Sequence, residues 1–352
     1  MLLKKRDHLV GLDIGSSLIK VAEIKETAKG PVLKKFGIAK IAPGSIVDGN
    51  IQDVGGIAQV IRTLFKTHKI KEKNVAISTG GYSVVIKTIN LPTTSEQELH
   101  ESIRFEAEQY IPYDVEDVNI DFQILGTSVF SPDQMNVLLV AVKKDLVAEY
   151  IDLTHQAGLN PCIIDVDTFA LQNIHETVYK GSDEQVVMLV DVGHSKTSLN
   201  ILKGKTSLMM RDNSSGIAQI SEEIVAATGC TPDQAEAAIW GRETGVIDQE
   251  EVDAIRSTIV QKWCSEIYSV VNTYQSKSSE GILDRVVLCG GGAFVQGFSD
   301  SLAAEVAVEV TIIDPFSGLI IDEAQFPDDL LNKMAPLAPI ALGLALRKVD
   351  DK

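Results

Sequence analysis

The chain has four cysteines, Cys162, Cys230, Cys264 and Cys289, and no CxxC pair among them, which argues against both a zinc site and a disulfide framework. It has no apolar run near the roughly 18 residues that a membrane-spanning helix needs. Met1 to Asp7 carries charge where a signal peptide would place its apolar core. Positive charge is also short, with 32 Lys and Arg against 49 Asp and Glu, a net charge of −17. This balance opposes non-specific nucleic-acid binding and draws the chain to no anionic membrane surface, so any anionic ligand must be held by local groups. Together these absences predict a cytoplasmic setting. What the sequence does have is apolar residues, 45% of 352, enough to fill two lobes.

One stretch organises the rest. Val10-Gly11-Leu12-Asp13-Ile14-Gly15-Ser16-Ser17-Leu18-Ile19-Lys20 is an apolar run that breaks at a polar turn and resumes, which reads as strand, tight turn, strand. Gly15 frees the backbone to turn, and the amides and hydroxyls of Ser16 and Ser17 can converge on one anion as a phosphate cradle. Asp13 at the strand end suits the shell of hydrated Mg²⁺, and Lys20 can reach back as a point charge. An ordinary hairpin is the alternative. The pattern returns at Met188-Leu189-Val190-Asp191-Val192-Gly193-His194-Ser195-Lys196-Thr197, where Asp191, Gly193 and Ser195 match Asp13, Gly15 and Ser17. A repeat at about half the chain length predicts two similar halves with two cradles facing one ligand. Asp13 and Asp191 are then the metal-shell pair, and Gly15, Ser16, Ser17, Gly193, Ser195 and Thr197 contact phosphate. A third stretch, Val286 to Ala293, runs a buried-type strand into Gly290-Gly291-Gly292, where the backbone can approach a flat base and ribose.

These three stretches resemble the two phosphate motifs and the adenosine motif of the actin, sugar kinase and Hsp70 superfamily. The resemblance implies an α/β, actin-like (ribonuclease H-like) two-lobe fold, with ATP and Mg²⁺ as cofactors.

Between the cradles, residues 53–69 read as a helix burying Ile57, Val60, Ile61, Leu64 and Phe65, and Val75 to Gly81 as a buried strand with Val84 to Leu91 as its partner. Pro92 marks a boundary. Ser95-Glu96-Gln97-Glu98 is a capping-box pattern opening a helix that carries Leu99, Ile103, Ala107 and Tyr110 on one face. Strands at 118–124 and 136–142 and a helix at 145–157 follow, giving a helix-strand-strand-helix subdomain. The expected layout is a first part of lobe one (subdomain 1A) over 1–92, an insertion over 93–160, a return to lobe one over 161–184, lobe two (2A/2B) over 185–330, and a C-terminal helix over 331–352 that packs on lobe one. The loop at 315–327 is expected over the cleft.

Glu101 to Tyr113, with Asp121-Phe122-Gln123-Ile124-Leu125 after it, is similar to the PilM family of actin-like proteins of type IV pilus assembly and more distantly to FtsA. That resemblance makes the insertion a 1C (SHS2) subdomain. It implies a cytoplasmic ATP-binding scaffold at the inner membrane that docks the cytoplasmic N-terminal peptide of PilN in the 1C/1A groove, with Phe105 or Tyr113 near its rim. Contacts with other assembly components, motor ATPases included, are compatible with it, and membrane association is indirect. Relatives place a water-orienting carboxylate where Asp167 stands; its shorter reach predicts slow turnover. A helix N-cap is the other reading of Asp167. His194 and Lys196 occupy turn positions that are small or uncharged in many relatives. In Ala235-Glu236-Ala237-Ala238-Ile239, Glu236 keeps a nucleoside-contacting place while Ile239 replaces a lysine. The competing functions are a sugar or acetate kinase, which needs an acceptor, and an FtsA-like filament.

Overall fold

Every residue of β1 (Val10–Ile14) is buried, because this strand lies at the centre of a sheet. The computed structural model describes residues 8–81, 83–128, 131–179, 181–242, 247–278 and 280–349. β1 pairs antiparallel with β2 (Leu18–Thr27), which pairs antiparallel with β3 (Gly30–Lys40). A small ribbon of β4 (Ile46–Val47) and β5 (Asn50–Ile51) leads into α1 (Val54–Thr67), capped by the Asp53 carboxylate, which accepts from the Gly56 N–H at 2.8 Å. α1 buries Ile57, Ile61, Leu64 and Phe65 as its spacing predicts, with Val60 at the margin. β6 (Asn74–Thr79) then adds parallel to the other side of β1.

The next strand does not stay in this sheet. β7 (Val84–Pro92) pairs with β9 (Gln134–Lys143), which also pairs with β8 (Val118–Thr127), and α2 (Glu96–Ala107) packs on that three-stranded sheet. The separate core is Ile89, Leu91, Leu99, Ile103, Val137 and Leu139. The expected pairing of 84–91 with the strand before it is therefore corrected, and the inserted sheet begins at residue 84, with Pro92 the last residue of its first strand, opposite Gln134. Its order is strand-helix-strand-strand. α3 (Lys144–Gln156), expected as the closing helix of the insertion, sends Leu146, Tyr150 and Leu153 into the lobe-one core beside α1. The capping box forms as read, with Ser95 Oγ accepting from the Glu98 N–H and Glu98 Oε2 from the Ser95 N–H. β10 (Asn160–Val166) completes the first sheet parallel to β6, and α4 (Asp167–Val178) leads out of it.

Lobe two repeats the plan. β11 (Val186–Val192), β12 (Thr197–Lys203) and β13 (Thr206–Asn213) form the meander; α5 (Ile217–Thr228), α6 (Pro232–Ile239) and α7 (Gln249–Lys277) cover one face; β14 (Arg285–Cys289), α8 (Phe298–Val306) and β15 (Glu309–Ile312) finish it. The order β13-β12-β11-β14-β15 reproduces β3-β2-β1-β6-β10. After α9 (Asp328–Met334), the wholly buried α10 (Pro339–Ala345) packs against α4, β1 and β2, so both helices lie where the lobes meet. Glycine makes this close approach: a Cβ on Gly343 would overlap the Ala170 carbonyl, and one on Gly11 the Ala341 carbonyl. Their shared core takes residues from both lobes, Ala22 and Ile174 with Leu189 and Val287. Residues 315–327 do not cover the cleft. The Leu33 N–H donates to the Ile320 carbonyl at 3.0 Å and the Ile320 N–H to the Pro31 carbonyl at 2.8 Å, because edge strand β3 has backbone groups to satisfy.

Candidate functional site

The two polar turns have one geometry. The Gly15 N–H donates to the Leu18 carbonyl at 3.1 Å, and the Gly193 N–H to the Lys196 carbonyl at 2.8 Å. Strand register sets what faces each acid. Asp13 lies opposite Lys20, whose Nζ is 3.0 Å from Oδ2 of Asp13. Asp191 lies opposite Ser198 on one side and Cys289 on the other, with no cation in register. Burial raises the Asp13 pKa even against Lys20, while pairing with Asp13 raises that of Lys20 despite burial. Asp191 is pushed up to about 6 by burial, which outweighs the more distant Lys20 and Lys196.

Across the cleft the turns touch, with Ser16 Oγ 2.8 Å from Ser195 Oγ. Lys196 crosses from lobe two and places Nζ 2.5 Å from Oδ2 of Asp167 and 4.0 Å from Oδ2 of Asp212. Ser78 Oγ donates to Asp167 Oδ1 at 2.6 Å, and the Gly81 N–H to Asp212 Oδ2 at 2.7 Å. Gly80 is glycine because a Cβ there would overlap Lys196 Nζ. Burial would raise the Asp167 pKa, but the Lys196 charge and the two donors bring it below its ordinary value, and Asp167 with Asp212 raises that of Lys196 despite burial. The N-cap of α4 is Val166, without a side-chain cap bond, so Asp167 is not a capping residue.

At the cleft mouth Lys40 Nζ meets Glu236 Oε2 at 2.6 Å, a half-exposed pair joining the lobes. Ile239, Trp240, Gly290, Gly291, Phe294 and Leu337 line the adjoining wall of a cleft of about 470 Å³. Gly290 has φ +76°, and a Cβ on it would overlap Asp191 Oδ1. That volume suits a nucleotide. Mg²⁺ takes one or two carboxylates and draws its remaining ligands from phosphate and water. The donor set fits this: Asp13 is a buried carboxylate held by one ammonium, that of Lys20, Asp191 is a partly buried carboxylate with no cation in register, and among the described residues no group of three or more His, Cys, Asp or Glu could hold a metal alone.

The sequence profile of the type IV pilus assembly protein PilM family matches residues 11–349. The chain belongs to the PilM family. A solved structure described as the PilM-PilN type IV pilus biogenesis complex is 24% identical over 98% of this chain and 100% of that one, with a TM-score of 0.88. The ethanolamine utilization protein EutJ from Carboxydothermus hydrogenoformans is similar at 15% identity, 98% and 90% coverage and a TM-score of 0.56. A diol dehydratase-reactivating factor in nucleotide-free form is similar at 10% identity, 97% and 99% coverage and a TM-score of 0.54. The architecture of this PilM-family chain is the expected actin-like two-lobe fold.

In this PilM-family cleft, Asp13, Gly15, Ser16, Ser17, Lys20, Asp167, Asp191, Gly193, His194, Ser195, Lys196, Glu236, Gly290 and Gly291 come together. Two of the expected residues do not line it. Thr197 is buried and donates from Oγ1 to the Ser215 carbonyl at 2.7 Å, and Gly292 packs against Val192. Burial lowers the His194 pKa despite Glu236 and Glu222 nearby, which keeps the ring neutral near pH 7. Sequence reasoning missed Ser78, Asp212 and Lys40. Ser78-Thr79-Gly80-Gly81 carried a signal in its paired glycines at a strand end; Asp212 and Lys40 carried none, since each acquires its partner only when the lobes meet.

Proposed function

We propose that this chain binds Mg·ATP between its lobes and serves type IV pilus assembly as a nucleotide-responsive scaffold. One observation carries the nucleotide reading: two matching acid-bearing glycine turns face each other across a cleft of nucleotide size. The Gly15, Ser16, Ser17, Gly193 and Ser195 backbone and hydroxyl groups hold phosphate, Lys20 and Lys196 offset its charge, and Asp13 and Asp191 hold the Mg²⁺ shell. Glu236, Gly290 and Gly291 lie against the nucleoside. Phosphate must part the Ser16–Ser195 contact and draw on Lys196, which now neutralises Asp167. Asp167 can orient water only after Lys196 leaves it, so hydrolysis is slow. Calorimetry tests the site. Asp13→Ala and Asp191→Ala should each weaken Mg·ATP binding by roughly 2 kcal/mol or more, as for loss of a charge-assisted, partly buried partner; unchanged affinity in both overturns the assignment.

The partner in this reading is the cytoplasmic N-terminal peptide of PilN, held in the groove between the inserted sheet and lobe one and keeping the chain at the cytoplasmic face of the inner membrane. Full-length likeness to the PilM-PilN structure supports it. So does the surface: Phe105 on α2 is 68% exposed, and Tyr113 packs at the margin of the inserted-sheet core under Lys143 Nζ, 4.5 Å from its ring centroid, where β9 leads into α3 of lobe one. Among the described residues no helix is long and apolar enough to cross a membrane.

A further inference from the structure

A second cavity, of about 410 Å³, lies at the other end of the two elements that reach the cleft. α4 begins at Asp167 in the cleft and ends at this cavity with His175 and Tyr179; β14 ends at Cys289 in the cleft and begins here with Arg285. Lobe one thus supplies one wall and lobe two the other.

Arg285 is held in an unusual way for a chain of this charge. Its guanidinium lies over the Tyr179 ring, 5.2 Å from the centroid, and one Nη reaches Thr311 Oγ1 at 3.4 Å, while Nε is buried with no acceptor. Among the described residues no carboxylate forms an ion pair with it, although 49 acidic residues are available in the chain. The ring is itself fixed: Tyr179 stacks on His175 at 4.8 Å, its hydroxyl donates to Gln185 Oε1, and Gly181 leaves room for that hydroxyl. Asp314 also lines the cavity, but its Oδ1 accepts from the Phe316 N–H at 3.1 Å in the turn that closes the floor. A buried guanidinium nitrogen without an acceptor is costly, and a carboxylate or phosphate is the partner whose pair of oxygens the guanidinium fork matches.

We propose that this cavity is a binding site for a small oxyanion, a phosphate or carboxylate group seated on Arg285, with the Thr311 hydroxyl turning from its long 3.5 Å contact with the Val286 carbonyl to donate to the anion, while Ser317 Oγ keeps its bond to the Asp314 carbonyl at 3.0 Å. Val178, Val287 and Ile312 give it apolar walls, so a compact apolar body can accompany the anionic head. His175 is the natural reporter. Burial and Arg285 push its pKa down to about 4, and an anion beside Arg285 removes part of that pressure.

The test is to follow the imidazole proton resonances of the nucleotide-free full chain while adding inorganic phosphate or, separately, sodium benzoate. His175 should move saturably with at least one of them. Its response should weaken at least tenfold in Arg285→Gln and by less in Arg285→Lys. His194 reports on anions in the main cleft, so movement of His194 alone locates binding there and overturns the proposal. A wild-type response in a folded Arg285→Gln also overturns it. If that variant does not fold, Thr311→Val, which keeps the Arg285–Tyr179 stack, replaces it with a several-fold weakening expected and an unchanged response decisive against the site. Whether phosphate or benzoate binds more tightly separates the two head groups, and failure with both removes the site without touching the nucleotide reading.

Discussion

Asp191 carries a charge that costs the fold, because burial raises its pKa to about 6 and no cation stands in register with it. A carboxylate with a raised folded pKa makes the fold less stable once both states are ionised, and the penalty fades as pH falls through about 6 towards the unfolded value. Asp191→Asn should therefore stabilise the nucleotide-free protein by about 1–3 kcal/mol at pH 8. The gain should shrink on acidification towards pH 4. Thermal melts of wild type and variant at pH 8, 6 and 4 check both statements, and a gain that does not change with pH counts against a buried titrating carboxylate. The same substitution should weaken Mg·ATP binding, so stability and function part at this position. Asp167 separates differently. Asp167→Ala should not weaken ATP binding, since it frees Lys196 for phosphate, and should slow an already low hydrolysis rate by about ten- to a thousand-fold, as for a group that acts mainly in the transition state. Single-turnover assays with equal rates would return Asp167 to a purely structural partner of Lys196.

Among the elements, α10 decides how the lobes are joined. Seven consecutive buried residues, Pro339–Ala345, fit no surface helix; they fit one enclosed where the two lobes meet. Its contact with α4 depends on Gly343, since any Cβ there would overlap the Ala170 carbonyl. Gly343→Val should destabilise the protein by about 1–3 kcal/mol or more, through overpacking that forces α4 and α10 apart. Because α4 starts at Asp167, nucleotide affinity should fall with it. Gly55→Ala in the exposed first turn of α1 is the control: nothing but the Asp53 side chain lies near its added Cβ, and a gain of a few tenths of a kcal/mol is expected. Equal denaturation midpoints for Gly343→Val and wild type would show that the two helices are not the tight clamp their geometry implies.

For the whole molecule, the question is whether the cleft and the proposed peptide groove communicate. α3 links them physically. It follows β9 of the inserted sheet, packs in the lobe-one core through Leu146 and Leu153, and puts Tyr150 on the cleft wall. A labelled peptide from the PilN cytoplasmic N-terminus should bind with an affinity that Mg·ATP changes by about 5–150-fold, a coupling of about 1–3 kcal/mol. Phe105→Ala should weaken it, as an exposed aromatic anchor does when truncated, and Tyr113→Ala should do so as well by loosening the partly buried ring at the groove rim. The net charge of −17 should speed association of a basic peptide at low salt, with the advantage fading as ionic strength rises. Fluorescence anisotropy with and without Mg·ATP, at two salt concentrations, reads all of these. Identical affinities in both nucleotide conditions would remove the switch and leave the scaffold standing.

The sequence by itself determined the two halves, the acid-bearing turns and the glycine strand end, because each is written in neighbouring residues: alternation, a turn glycine, an aspartate at a fixed distance. The helix faces were legible too, as was the capping box at Ser95. Only the tertiary structure decided which strands pair. The run 84–92 has the same apolar character whichever sheet takes it, and its partner β9 lies more than forty residues on, at 134–143. Tertiary structure also chose the partners of the charges. Lys196 stands out in sequence as a cation in the second turn but has no acid beside it there, and it becomes the counter-ion of Asp167 because the two lobes close on one another. Arg285 stands one residue ahead of the apolar run read as the third motif, and the half-buried position of its guanidinium over Tyr179 exists only where the end of α4 meets β14. Local chemistry fixes turns and faces; long-range contacts, whose energies depend on burial and distance, fix which charge answers which.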